Sequence, residues 1–253
     1  MRTLIQSAYK TYVGDPRGLF SDEDVILLGA FPLTTPIEGG PAWIDSERYM
    51  VEAKAEGPVN RKVMQGPLLQ AILENRFQLK THRVSREAPI YALTVAKGGL
   101  KLKRFQEGSC SVTPQLDLNG VSEPPAPPKL PPGQKYCEWG GGVNGNEKQT
   151  HVEINAKGGT IDQFIRSFLY GEEGKQVINR TGLQGRFNFD LEFAMNEQSR
   201  QRYAEITGLS LSELWTSPSI FEALQEQLGL KLEIAKGPVE VLVIDSVSKP
   251  SEN

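Results

Sequence analysis

The chain has 253 residues, with 28 basic and 31 acidic side chains and a net charge of −3. That balance is ordinary for a globular protein and lacks the basic stripe that nucleic-acid binding requires. The longest apolar run, Val25-Ile26-Leu27-Leu28-Gly29-Ala30-Phe31, is far shorter than the ~20 residues that span a bilayer.

Leu4, Ile5, Ala8, Tyr9 and Tyr12 recur at helical spacing and predict an amphipathic first helix. Met1-Arg2-Thr3-Leu4-Ile5-Gln6 shows no charged region leading into an apolar stretch, so no signal peptide is read there. Residues 14–40 are rich in Pro, Gly and Asp and read as irregular. Tyr49, Val51, Ala53 and Ala55 alternate with period two, a strand with one wet face. Leu69, Ile72, Leu73 and Phe77 form one apolar helical face, followed by two hairpin arms at 78–84 and 90–96. Residues 107–149 contain Pro124-Pro125-Ala126-Pro127-Pro128 and Gly140-Gly141-Gly142, a linker composition. Cys110 and Cys137 lie inside it and fit either a reduced compartment or one disulfide.

Beyond the linker, His151-Val152-Glu153-Ile154-Asn155 alternates as a strand. Ile161, Phe164, Ile165, Phe168 and Leu169 make a helix, with Thr160 and Gln163 as a capping box after Gly158-Gly159. Phe187, Phe189, Leu191 and Phe193 predict a strand, and residues 196–217 an insertion with a short helix at 200–206. Ile220, Ala223, Leu224 and Leu228 form the last helix, with Ser217 as its N-cap, Pro218 in its first turn and Gly229 at its end. Strands at 230–235 and 239–245 follow. Val239-Glu240-Val241-Leu242-Val243-Ile244 is apolar on both faces, as a central strand is.

The order of these elements repeats. Residues 69–80 return as 220–231 with apolar positions in register, Lys80 matching Lys231 and Pro89 matching Pro238. This predicts a duplicated unit and an α+β fold of two similar lobes, each a small, mostly antiparallel sheet covered by two helices. The divisions are a first repeat at 1–103, a linker at 104–150, a second repeat at 151–247 and a tail at 248–253. Each repeat should carry a helix followed by a hairpin, two residues longer in the first. Nothing before the first helix matches the strand at 151–155, so the first sheet either exposes an edge or borrows residues 25–30.

Enzyme motifs are weak. Ser7-Ala8-Tyr9-Lys10 matches Ser-x-x-Lys by composition alone, with no Ser-Asp-Asn or Lys-Thr-Gly downstream. Gly140-Gly141-Gly142-Val143-Asn144-Gly145-Asn146 starts like a phosphate loop but lacks its lysine and hydroxyl residue. No structural zinc spacing occurs; Cys110, Cys137 and His151 merely border the linker, and His82 reads as a solvated strand residue. No metal or cofactor is therefore assigned. Asp45, Glu47 and Glu52 cluster beside Trp43 and Arg48, where a turn and ion-pair role outweighs acid–base work. Asn179-Arg180-Thr181 is a formal glycosylation sequon.

Several blocks resemble a known family. They are Gly39-Gly40-Pro41-Ala42-Trp43-Ile44-Asp45-Ser46-Glu47-Arg48-Tyr49, Leu73-Glu74-Asn75-Arg76-Phe77-Gln78-Leu79, the segment from Ala88 to Gly99, Asn179-Arg180-Thr181-Gly182-Leu183-Gln184-Gly185-Arg186-Phe187, and the ending Lys249-Pro250-Ser251-Glu252-Asn253. Together they resemble the soil-associated family of uncharacterised bacterial proteins that is expanded in acidobacteria. That resemblance implies export to the periplasm or envelope, and it brings no catalytic residues; in an exported protein Cys110 and Cys137 would either form a disulfide or remain solvent-exposed thiols of a flexible stretch. The element order is also similar to the short N-terminal domain of secretins and TonB-dependent receptors. The expected function is a non-enzymatic binding module of the bacterial envelope. Its partner would be a protein or peptide, held by strand addition at an open sheet edge or at a surface made by Trp43, Asp45 and Arg48. The competing expectation is a hydrolase working from the same 43–48 turn.

Overall fold

Two long strands organise the molecule: β2 (Lys80–Val95, 16 residues) and β8 (Leu230–Ser246, 17 residues). They run antiparallel from Thr81 opposite Ile244 to Val95 opposite Leu230, with a register shift at Lys80. The computed structural model describes residues 1–9, 36–54, 64–112, 128–146, 149–169, 175–197, 200–201 and 217–250. Among these residues lie five α-helices and two four-stranded sheets, an α+β architecture. The first sheet has the order β1-β8-β2-β6, in which β1 (Ile37–Gly39) and β6 (Val177–Asn179) are short parallel edges. The second has the order β3-β7-β5-β4, antiparallel throughout. Its strands are β3 (Lys103–Arg104), β4 (Trp139–Asn146), β5 (Gln149–Gly159) and β7 (Phe187–Phe193).

The helices are α1 (Arg2–Ala8), α2 (Trp43–Ser46), α3 (Leu69–Arg76), α4 (Ile161–Phe164) and α5 (Ile220–Ala223). A π-helical turn precedes α3, and π-helical turns at Ile165–Leu169 and Leu224–Leu228 extend α4 and α5. Each end of the β2/β8 ribbon enters a different core. At one end Leu79, Leu242 and Ile244 pack with Ile5 and Ala8 of α1, Ile44 of α2 and Leu73 of α3. At the other, Tyr91, Leu93, Leu230 and Leu232 join the larger core of β5, β7, α4 and α5. Phe164 and Phe189 stack there at 4.3 Å, both fully buried. Between the cores, Ser85, Arg86, Glu87, Lys236, Pro238 and Glu240 are exposed.

The expected hairpins do not form. Residues 78–84 and 90–96 belong to one continuous strand, and so do 230–235 and 239–245; the two long strands pair with each other. Gly237 shows why. Its φ is not positive, and a Cβ there would lie 2.6 Å from Cδ1 of Ile90, so this glycine admits a side chain from across the ribbon rather than making a turn. The segment 85–88, Ser-Arg-Glu-Ala, likewise contains no residue suited to a tight hairpin.

Three further expectations change. Residues 49–54 are not a strand: only Tyr49 reaches the small core, edge-on to Phe77 at 5.0 Å, while Met50 is 89% exposed. The glycine run at 140–142, read as flexible coil, is part of β4, because β5 offers it a complete ladder from Trp139 opposite Ala156 to Asn146 opposite Gln149. The N-cap of α5 is Ser219, not Ser217. Ser219 and Glu222 form the reciprocal capping box, and Pro218 precedes the cap. Thr160 and Gln163 cap α4 in the same way. Residues 25–30 and 202–206 lie outside the described residues. The edge of the first sheet beside β8 is β1.

Candidate functional site

Gly39 and Gly40 have φ of +77° and +84°, and a Cβ on Gly40 would lie 2.7 Å from Cδ1 of Ile44. This left-handed pair turns the chain out of β1 and presses α2 onto the small core, where Ile44 is fully buried. The neighbouring side chains then face outward. Trp43 is half-buried, edge-on to Tyr49 at 6.2 Å, with Lys249 Nζ 5.9 Å from the ring centroid. Asp45 accepts from Arg2 through both oxygens, Nη2 to Oδ2 at 3.1 Å and Nε to Oδ1, while Arg2 Nη1 also donates to the Ile37 carbonyl at 3.1 Å. Glu47 accepts from the Tyr49 hydroxyl at 2.7 Å and from Lys249 Nζ. Arg48 is exposed and forms no ion pair with a described residue.

The electrostatics of this turn follow from those contacts. The hydrogen bond from Arg2 holds the Asp45 carboxyl below its ordinary 3.8. Lys249, then Tyr49, hold Glu47 below its ordinary 4.5, and Glu47 in turn raises the Tyr49 phenol above 10.0. Both carboxylates are thus fixed in the charged state, the opposite of a general acid tuned towards neutral pH. The turn carries Trp43, Asp45 and Arg48 together on the surface, but Asp45 is bound to α1 rather than to Arg48.

A second cluster escaped the sequence reading. An open groove of about 680 Å³ is lined by Tyr9, Glu74, Gln78, Leu79, Lys80, Thr81, His82, Arg83 and Leu242. On β2, His82 Nδ1 lies 2.8 Å from Asp245 Oδ1 of β8, and the Tyr9 hydroxyl donates to Glu74 at 3.0 Å. Burial, foremost, raises the Tyr9 phenol above 10.0. Only the pairing of β2 with β8 brings His82 to a residue 163 positions away.

Cys110 and Cys137 form a disulfide that ties the segment after β3 to the start of β4. Holding no thiolate, they supply no metal ligand to His151, which instead lies 3.8 Å from Glu192. Among the described residues no group of three or more His, Cys, Asp or Glu side chains is arranged to hold a metal ion. Among them, too, no helix is long and apolar enough to cross a membrane. Ser7 lies on α1, and Lys10 is outside the described residues. Asn179 donates its side-chain amide to Asp162 at 3.0 Å.

Comparison with known proteins places the chain in a family. The chain belongs to the family described as "Protein of unknown function (DUF3738)", which matches residues 25–247. No curated protein and no solved structure matches it.

Proposed function

We propose that this chain, as a member of that family, is a non-enzymatic binding module of the bacterial cell envelope that recognises a protein or peptide partner. The carrying observation is the 43–48 turn: a half-buried tryptophan braced by Tyr49 and Lys249, flanked by two carboxylates held ionised by cations and by an exposed Arg48. Tryptophan and arginine are the side chains that most often anchor interfaces, and a braced ring loses little freedom on binding. The envelope assignment is supported by the disulfide, which persists in oxidising compartments. The resemblance to the soil-associated, acidobacterially expanded family and to the secretin-type short domain points the same way. In pull-downs from envelope extracts, Trp43→Ala with Arg48→Ala should abolish partner capture while leaving the fold intact by circular dichroism. Unchanged capture by the folded double variant removes this surface from consideration.

A hydrolase working from the same turn is the competing reading; Asp45 and Glu47, both held charged, suit the role of base but not that of general acid. One observation favours hydrolysis elsewhere: His82 is oriented by Asp245 at the groove rim, as an imidazole base would be. Turnover in a hydrolase panel that His82→Ala abolishes would establish that reading over the binding module.

A further inference from the structure

The parts around the two cores come in like order. Along the chain α1, β1, α3 and β2 are followed by α4, β6, α5 and β8. The helical turns before β2 and β8 both stop at a left-handed residue, Gln78 at φ +50° and Gly229 at φ +67°, a conformation that suits glycine. One residue earlier, the Phe77 carbonyl accepts from the Ser248 amide at 2.7 Å, and the Leu228 carbonyl from the Lys101 amide at 3.0 Å. The short strand β1 pairs in parallel with Leu242 to Ile244 of β8, and β6 with Tyr91 to Leu93 of β2. Leu79, Leu242 and Ile244 enter the small core, while Leu230, Tyr91 and Leu93 enter the large one. A pseudo-two-fold axis through the facing pair Glu87 and Pro238 carries Leu79 onto Leu230, Tyr91 onto Leu242 and Leu93 onto Ile244. Pro89 then corresponds to Glu240, not to Pro238.

We propose that the β2/β8 ribbon is a reciprocal strand exchange between two duplicated units, a lock built into the fold. In a closed unit, residues 81–85 would fold back on 89–93 of the same strand, and residues 232–236 on 240–244. Here the second half of each strand crosses to the other core and takes the place of that core's own arm. Exchange of this kind replaces each pairing by its equivalent, so the segment between the arms decides which form is stable. Closure would leave loops at 86–88 and 237–239, each spanning three residues. Arg86-Glu87-Ala88 has no residue suited to a left-handed turn. The open form also seats Ile90 against Gly237, between the two cores. The 43–48 turn therefore rests on a core that Leu242 and Ile244 of the second unit complete.

Cysteine pairing and amide exchange on the full chain test the proposal. Ser85 and Glu240 face each other across the ribbon, and both are exposed, as is Pro89. Oxidation should join Ser85→Cys to Glu240→Cys, and should not join Ser85→Cys to Pro89→Cys. Arg86→Pro, Glu87→Asp and Ala88→Gly, with Gly237→Pro, Pro238→Asp and Val239→Gly, place a Pro-Asp-Gly turn in both loops. In that background the result should reverse, with position 85 joined to 89 and no longer to 240. The unmodified chain gives an independent measurement. Both long strands run unbroken through both cores, so the amides of Leu73 and Phe77 in the small core and of Ile154 and Leu191 in the large one should share one opening. Their exchange rates should then respond equally to denaturant. A link from 85 to 89 without the turn substitutions, a folded turn variant that keeps the link from 85 to 240, or separate openings of the two cores overturns the proposal.

Discussion

At the scale of single residues, Asp45 and Glu47 make the small core sensitive to acid. Arg2 lowers the folded-state pKa of Asp45 below 3.8, and Lys249 with Tyr49 lowers that of Glu47 below 4.5. A carboxyl with a depressed folded pKa binds fewer protons folded than unfolded, so its stabilisation is complete above the ordinary value. That stabilisation disappears as the pH falls through the depressed value. Asp45→Asn should therefore melt below wild type at neutral pH, and the gap should close as the pH drops below 3.8. Melting curves across that window are the check, and a gap independent of pH would show that the Arg2 pair contributes nothing. The cluster of Asp45 and Glu47 beside Trp43 was visible in the sequence as a local run of types. Its partners were not, because Arg2 lies 43 positions away and Lys249 lies 202 away.

At the scale of elements, the start and end of the last helix give a paired test. Ser219→Ala removes a capping hydroxyl and should cost about 1 kcal/mol, whereas Ser217→Ala, which loses one exposed hydrogen bond to Glu192, should cost under ~0.5 kcal/mol. Gly229 ends this helix at φ +67°, and a Cβ there would lie 2.1 Å from the Gly99 carbonyl oxygen. Gly229→Ala thus adds backbone strain to a clash with the 99–101 backbone and should cost at least about 2 kcal/mol. Denaturant titration of the three variants measures all of this. The glycine stop was legible because a left-handed cap is a local requirement. The N-cap was misplaced by two residues because Ser217-Pro218-Ser219 offers two hydroxyls; the three-residue spacing from Ser219 to Glu222 decides between them.

Across the whole molecule, the disulfide fastens a glycine-rich edge strand to its sheet. It closes a loop with a sequence separation of 27, and β4 begins two residues after Cys137. Chain-entropy arguments assign a loop of that length about 3 to 4 kcal/mol. Denaturation with and without reductant should differ by that amount, and exchange protection in β4 should fall first on reduction. Equal stability in both conditions would mean that the packing of Trp139 against Phe168 and Phe189 holds the strand unaided.

What the amino-acid sequence determined by itself is the set of elements governed by near neighbours. The α+β class, the apolar faces of α1, α3, α4 and α5, the capping box at Thr160 and the alternation of β5 and β7 all follow from spacings of two to four residues. Tertiary structure alone decided the pairing. An alternating stretch such as 80–95 fits one arm of a local hairpin or one side of a long ribbon equally well. The choice fell on the ribbon because 16 residues of each strand find a partner there and each end is built into an apolar core. The same non-local reason turned three consecutive glycines into an edge strand, since a backbone without side chains carries no signal of its own and pairs where another strand leaves its hydrogen bonds open.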